Sequence, residues 1–231
     1  MPAMISSVKL RDVWYRYETS RDWVIKGVDL YIRSGRLVII QGPNGSGKTT
    51  LMKILSLIYK PSKGSVYVND IDFWSSGRER DLLRRDIVYV HEKPILLRDT
   101  VLNNIIYPLK IRGVSIGERL DEIKRIMRVF GVENLENKRS RELSAGQAQI
   151  VSIIRALILR PSIIVLDEPF SNLDKSRRGK LIDLIREYID LYETGVVISL
   201  HEEYLIDNLD PDEVYYMNEG RLYPEEKEFS R

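Results

Sequence analysis

The chain has 231 residues, of which 43% are hydrophobic, enough for one large core or a core with an insertion at about 150 residues per domain. Its 36 Lys and Arg against 34 Asp and Glu leave a net charge of +2, which gives no support for nucleic-acid binding by bulk charge. Cysteine is missing, which excludes a disulfide framework and a thiolate metal site and suits a reducing compartment. From Met1 to Val8 there is no charged start followed by an apolar run, so no signal peptide is read. Val8 and Leu10 then alternate with Lys9 and Arg11 as an opening strand, followed by Trp14, Tyr15 and Tyr17. Val28 to Arg33 alternates strictly and is expected to pair with that first strand. After the turn Ser34-Gly35, Leu37-Val38-Ile39-Ile40 is apolar throughout, as in a buried parallel strand.

Gly42-Pro43-Asn44-Gly45-Ser46-Gly47-Lys48-Thr49 follows, and it fits G-x-x-x-x-G-K-[ST], the phosphate-binding loop. Its glycines reach backbone angles that let successive N–H groups turn inward around a polyphosphate. Lys48 offers a charge to the β- and γ-phosphates, and Thr49 a hydroxyl to Mg²⁺. Thr50 to Tyr59 is expected to be helical, with Leu51, Ile54, Leu55 and Ile58 on one face. Strand, loop and helix together aim a helix N-terminus at the phosphates.

Pro61-Ser62-Lys63-Gly64 ends that helix, and Ser65 to Val68 is a short strand. Gly77 to Asp86 mixes Arg with acids and is expected to be a solvated helical face, before a strand over Ile87 to Val90. From Lys93 to Arg160 helical periodicity takes over, with Ile123, Ile126, Met127 and Phe130 on one face. This reads as an inserted helical subdomain, residues 93–160, within a core of residues 1–92 and 161–231. The α/β pattern resumes with a buried strand at Ile163 to Leu166, a helix over Leu181 to Tyr192 and a strand at Val196 to Ile198. Val214 to Met217 and Arg221 to Tyr223 flank Asn218-Glu219-Gly220 as a hairpin. No apolar stretch approaches the roughly 20 residues needed to span a bilayer.

Asp167 and Glu168 close the strand Ile163 to Leu166, at the sheet end where the phosphate loop also sits. One acid can hold a metal or its waters, and the next can orient and deprotonate an attacking water. Ser144-Ala145-Gly146-Gln147 opens another helix. Ser144 with Gln147 three positions on makes a capping box, and the same residue types at a helix N-terminus also suit a second anion site.

With Leu143-Ser144-Ala145-Gly146-Gln147, the chain resembles an ATP-binding cassette (ABC) ATPase, whose signature reads Leu-Ser-Gly-Gly-Gln. The phosphate loop, the signature, Ile163 to Glu168, Ser171-Asn172-Leu173-Asp174 and His201 follow in the family order over almost the whole chain. The resemblance implies an α/β P-loop NTPase core with a mostly parallel sheet, an N-terminal antiparallel β subdomain and the inserted helical subdomain. It implies ATP and Mg²⁺ as ligands, with Asp167 magnesium-associated, Glu168 the general base and His201 contacting the γ-phosphate. Tyr17 falls where an aromatic stacks on adenine, with Tyr15 and Trp14 as alternatives. Gly42 to Thr50 would hold the phosphates, while Ser144, Ala145, Gly146 and Gln147 would meet the γ-phosphate of a partner's ATP. Asp174 would lie in a loop crossing the dimer interface. Three positions depart from the family. Ala145 replaces a signature glycine, and Ile150 replaces an arginine common in the signature helix. Glu92 stands where a glutamine usually offers oxygen to Mg²⁺ and to the attacking water, and its extra negative charge beside the phosphates bears on how nucleotide and transport are coupled.

Single cassettes of this length resemble ATPase subunits of transporters, whose helical subdomain docks on an integral membrane permease. The segment from Lys93 to Leu97 through Val101 to Ile105 resembles importers of oxyanions such as tungstate or phosphate, and Asp167-Glu168-Pro169-Phe170-Ser171 resembles importers in general. The implied assembly has a second ATPase subunit, a permease and an extracytoplasmic substrate-binding protein, with this chain on the cytoplasmic face of the membrane and no nucleic acid. An exporter ATPase, a soluble non-transport ATPase and a catalytically dead cassette are the alternatives.

Overall fold

The computed structural model describes residues 5–77, 80–201 and 205–225. Two sheets carry the fold. The first is antiparallel, in the order β2-β1-β4-β5, from β1 (Ser7–Tyr15), β2 (Ile25–Arg33), β4 (Lys63–Val68) and β5 (Ile71–Asp72). The expected pairing of the first two strands is present, with Val8 opposite Ile32 and Leu10 opposite Leu30. The second sheet runs β10-β9-β3-β8-β7-β6, from β3 (Leu37–Gln41), β6 (Ile87–Val90), β7 (Ile163–Asp167), β8 (Gly195–Leu200), β9 (Glu213–Asn218) and β10 (Arg221–Glu225). All neighbours in it are parallel except β9 and β10. This is the α/β architecture that the resemblance implies.

The central strands are apolar at successive positions because both faces are covered. Ile39, Leu166 and Ile198 pack on one side, with α3 (Val101–Arg112), α4 (Gly117–Val129), α5 (Ala145–Leu157) and α6 (Lys175–Tyr192). Val38, Val165 and Val197 pack on the other, with α1 (Lys48–Leu55) and the antiparallel sheet. The helices between β6 and β7 therefore share one core with a sheet face. Buried Asn104 fixes the approach to α3 by accepting from Leu97 N (2.7 Å) and donating to the carbonyls of Leu97 (3.1 Å) and Thr100 (2.9 Å). Glu122 on α4 accepts from Tyr188 on α6 (2.5 Å) and from Arg160 (2.7 Å), tying that helix to the core.

Two helix boundaries differ from the sequence reading. Helix α1 stops at Leu55, not Tyr59, because Leu57 adopts φ +60° and Ile58 N–H bonds back to Lys53 O (2.9 Å), the Schellman closure. Ile58 is consequently 37% exposed and does not continue the buried face of Leu51, Ile54 and Leu55. Helix α6 begins two turns before Leu181, because Asp174 caps it by accepting from Arg177 N (2.9 Å). Those first turns, Lys175 to Lys180, are polar and leave no periodic signal. The short helix α2 (Arg80–Arg85) buries only Leu83, as a solvated face should; residues 78 and 79 of that stretch lie outside the described residues. In the β9–β10 hairpin, Glu219 and Gly220 both have positive φ, which joins the strands with two residues. Its tip braces the phosphate loop, with Gly220 N donating to Ser46 O at 3.0 Å and accepting at its own carbonyl from Lys26 N at 2.8 Å.

Candidate active site

The carboxyl ends of β6, β7, β8 and β3 lie side by side, and the loop between β3 and α1 sits above them. A cavity of about 430 Å³ opens there. It is lined by Pro43, Asn44, Gly45, Gly47, Lys48, Thr49 and Thr50, and by Val24, Glu92, Glu168, Ser171 and His201. The phosphate loop and the expected Glu168, His201 and Glu92 thus meet around one space.

Backbone conformation builds this cradle. Gly42 has φ +146°, and a Cβ there would lie 2.1 Å from Met217 O on β9. Gly47 caps α1 with φ +108° and no side-chain cap, so the first N–H groups of the helix remain available. Ser46 Oγ is buried without a hydrogen-bond partner among the described residues. Buried donors of this kind fit a polyphosphate. Lys48 Nζ lies 2.7 Å from Gly42 O and 3.6 Å from Glu168 Oε1.

Glu168 has φ +49°, a region costing a side-chained residue about 1–3 kcal/mol unless its surroundings enforce it. Here Ser199 Oγ accepts from Glu168 N (2.9 Å), and Ser171 Oγ donates to Glu168 O (3.0 Å). The turn aims the carboxylate between Lys48 and His201, whose Nδ1 lies 2.6 Å from Glu168 Oε2. A carboxylate so held can take a proton from a water beside a terminal phosphate.

Asp167 does not line the cavity; it is 1% exposed beneath it. Ser199 donates to its Oδ1 (2.6 Å), and Tyr89 donates to its Oδ2 (2.7 Å). Burial first, and then the charge of Asp167, raise the Tyr89 pKa, so the phenol stays a donor. Among the described residues no Lys, Arg or His pairs with Asp167, and no three acid or His side chains converge as a ready-made metal cage. A buried carboxylate with hydroxyl donors alone suits an added cation, with Thr49 at the cavity wall as a further oxygen.

Several expected residues lie elsewhere. Tyr17 does not line the cavity; its hydroxyl sits 2.9 Å from Thr50 Oγ1, and its ring is edge-on to Tyr15 and Tyr59. Trp14 bonds Asp12 and packs edge-on to Trp23, and Tyr15 stacks on Tyr59. Ser144 to Gln147 form the expected capping box, with Gln147 N donating to Ser144 Oγ (3.3 Å) and Ser144 N to Gln147 Oε1 (2.9 Å). None of the four lines the cavity of their own chain, nor does Asp174. Ala145 is exposed, whereas a Cβ on Gly146 would meet Asn172 O at 2.6 Å. The glycine kept in the signature is therefore the one the packing requires. Ile150 is fully buried in the core, where an apolar side chain fits.

Sequence reasoning missed Ser199, Tyr89, Ser171 and Val24. Ser199 had a signal: it is the one polar side chain in the buried strand GVVISL, and it pairs in register with Asp167. Tyr89 had a weaker one, in a strand that ends at the same edge.

Comparison with known proteins agrees with this geometry. A family model described as ABC transporter matches residues 25–171. The chain belongs to the ABC transporter family. This ABC ATPase is 32% identical over 216 residues to the lipoprotein-releasing system ATP-binding protein LolD of Legionella pneumophila, covering 92% of this chain and 94% of the relative. It is 34% identical over 193 residues to the tungstate uptake system ATP-binding protein TupC of Peptoclostridium acidaminophilum, covering 84% and 86%. Among solved structures, the dimeric post-hydrolysis state of the ATP-binding cassette MJ0796 bound to ADP and Pi superposes with TM-score 0.82 at 30% identity, covering 95% of this chain and 98% of that one. The chain is thus an ATP-binding, ATP-hydrolysing subunit of the ABC transporter type. Among its described residues no helix is long and apolar enough to cross a membrane.

Proposed function

We propose that this chain powers an importer from the cytoplasmic face of a membrane, as a dimer that closes on two ATP molecules. The observation that carries the reading is the meeting of the phosphate loop, Glu168 and His201 around one cavity, while the signature stands outside it. A site so divided is completed by a second copy, whose Ser144 to Gln147 would reach the γ-phosphate, with Asp174 at the seam. Loop N–H groups, Ser46 Oγ and Lys48 bind the phosphates, and Tyr17 turns from Thr50 to the adenine. Glu168 accepts a proton from the water that attacks the γ-phosphorus as the bond to the ADP oxygen breaks. His201 holds the Glu168 carboxylate and contacts the γ-phosphate. Asp167, Thr49 and Glu92 are the residues that would hold Mg²⁺, which supplies charge neutralisation on the phosphates when bound. Residues 93–160 act as the helical arm that docks on a permease.

Similarity to a tungstate uptake ATPase supports the import direction. The proposal adds a substrate-binding protein outside the membrane. The release direction is the second reading, favoured by the relative named as lipoprotein-releasing, which matches over 94% of its length. Pull-down of the chain from detergent-solubilised membranes of its source, with partners identified by mass spectrometry, tests the proposal. A multi-span permease with an extracytoplasmic binding protein is expected. Soluble partners alone would overturn the transport reading, and a permease with an outward lipoprotein carrier would reverse its direction.

A further inference from the structure

Asp167, beneath the cavity, is 1% exposed, and both of its oxygens are engaged from neighbouring strands: Oδ1 by Ser199 on β8 and Oδ2 by Tyr89 on β6. The carboxyl torsion of an aspartate is broad and roughly two-fold, so two donors on opposite sides fix its plane where one would not. Among the described residues no Lys or Arg forms an ion pair with Asp167, and His91 acts on it only through its longer-range charge. Removing either hydroxyl would leave one buried carboxylate oxygen unpaired and the carboxyl plane free to turn. A rotated Asp167 cannot hold a cation beside the phosphates.

We propose that Tyr89 is a positioning residue for the metal-bearing carboxylate, the second of two hydroxyl clamps that hold the plane of the Asp167 carboxylate. The inference rests on the reading of Asp167 as the magnesium-associated acid. Tyr89 does not itself reach the cavity. Its ring also packs edge-on to His91 at 4.5 Å, immediately before Glu92 at the cavity wall. Tyr89→Phe keeps that ring contact and removes one oxygen atom.

The test is the coupling between metal and nucleotide, read as the ratio of AMP-PNP affinities with saturating Mg²⁺ and with EDTA. It is measured on the full chain for the parent, Tyr89→Phe and Asp167→Asn. Partners that orient a metal ligand are typically worth about 10–100-fold in metal affinity, so Tyr89→Phe should lower the ratio about 10-fold with the EDTA affinity unchanged. A merely structural role would weaken both affinities together and would overturn the inference. If Asp167→Asn lowers the ratio and Tyr89→Phe does not, the Tyr89 inference fails and the Asp167 reading stands. If neither variant moves the ratio, both fall. Should Tyr89→Phe fold poorly, Ser199→Ala removes the opposite clamp, and an unchanged ratio there would equally contradict the account.

Discussion

The N-termini of α1 and α5 both carry glycine and hydroxyl residues, and they are built differently. At α1 the capping residue is Gly47, no side chain closes the first turn, and Gly42 lies against the backbone of β9. At α5 the cap is Ser144, closed reciprocally by Gln147. The first is held open by packing from the hairpin side, and an anion meets donors that are already unsatisfied. At the second, Gln147 N is already bonded to Ser144 Oγ, and on the proposed reading a partner's phosphate oxygen would take the place of that bond. One end is preorganised; the other would give up about 1 kcal/mol of cap on engagement. The proposed order, nucleotide binding first and closure second, fits that difference.

Variants can break this contrast, beginning with the largest effect. Glu168→Gln should lower the ATP hydrolysis rate by about 10²–10⁴-fold, the usual worth of a positioned base, with nucleotide affinity retained; steady-state phosphate release against fluorescent ATP binding reads both. Gly146→Ala places a methyl 2.6 Å from Asn172 O and should push α5 from the loop before α6. Hydrolysis should then fall at least 10-fold while ATP binding by the single chain holds, whereas Ala145→Gly, where no backbone neighbour opposes the change, should shift unfolding stability by no more than about 1 kcal/mol. Ser144→Ala should cost about 1 kcal/mol in denaturant unfolding through the lost cap. The smallest effect concerns His91. Burial first, and then the positive charge of Lys53, lower its pKa from 6.5, with Arg155 adding to and Asp167 opposing the shift. The unfolded chain therefore takes up this proton first as pH falls below about 6.5, so stability is full above that pH and declines beneath it. His91→Gln should flatten the fall in Tm between about pH 7 and pH 5.

Legibility in the sequence followed the same divide. The preorganised end was readable because its chemistry is local: Gly42 to Thr49 are contiguous, the strand before them is apolar at every position, and Asp167-Glu168 end another such strand. The hairpin at Glu219-Gly220 was readable for the same reason, but not that its tip braces Ser46. Tyr89 and Ser199 act on Asp167 across three strands, a relation fixed by sheet order and register. The early stop of α1 was hidden because Leu57, a good helix former, takes the left-handed position usually held by glycine. The Ser144 box was visible as a motif, and only packing showed that Gly146, and not the residue before it, carries the spatial demand.

The claim that the site is shared between two copies is tested most directly by the mass of the Glu168→Gln variant in solution, measured by light scattering with and without ATP and Mg²⁺. The account predicts a 27.0 kDa monomer without nucleotide and a particle of twice that mass with it, reverting to monomer when Gly146→Ala is added. A Glu168→Gln chain that binds ATP and stays at the monomer mass would contradict it.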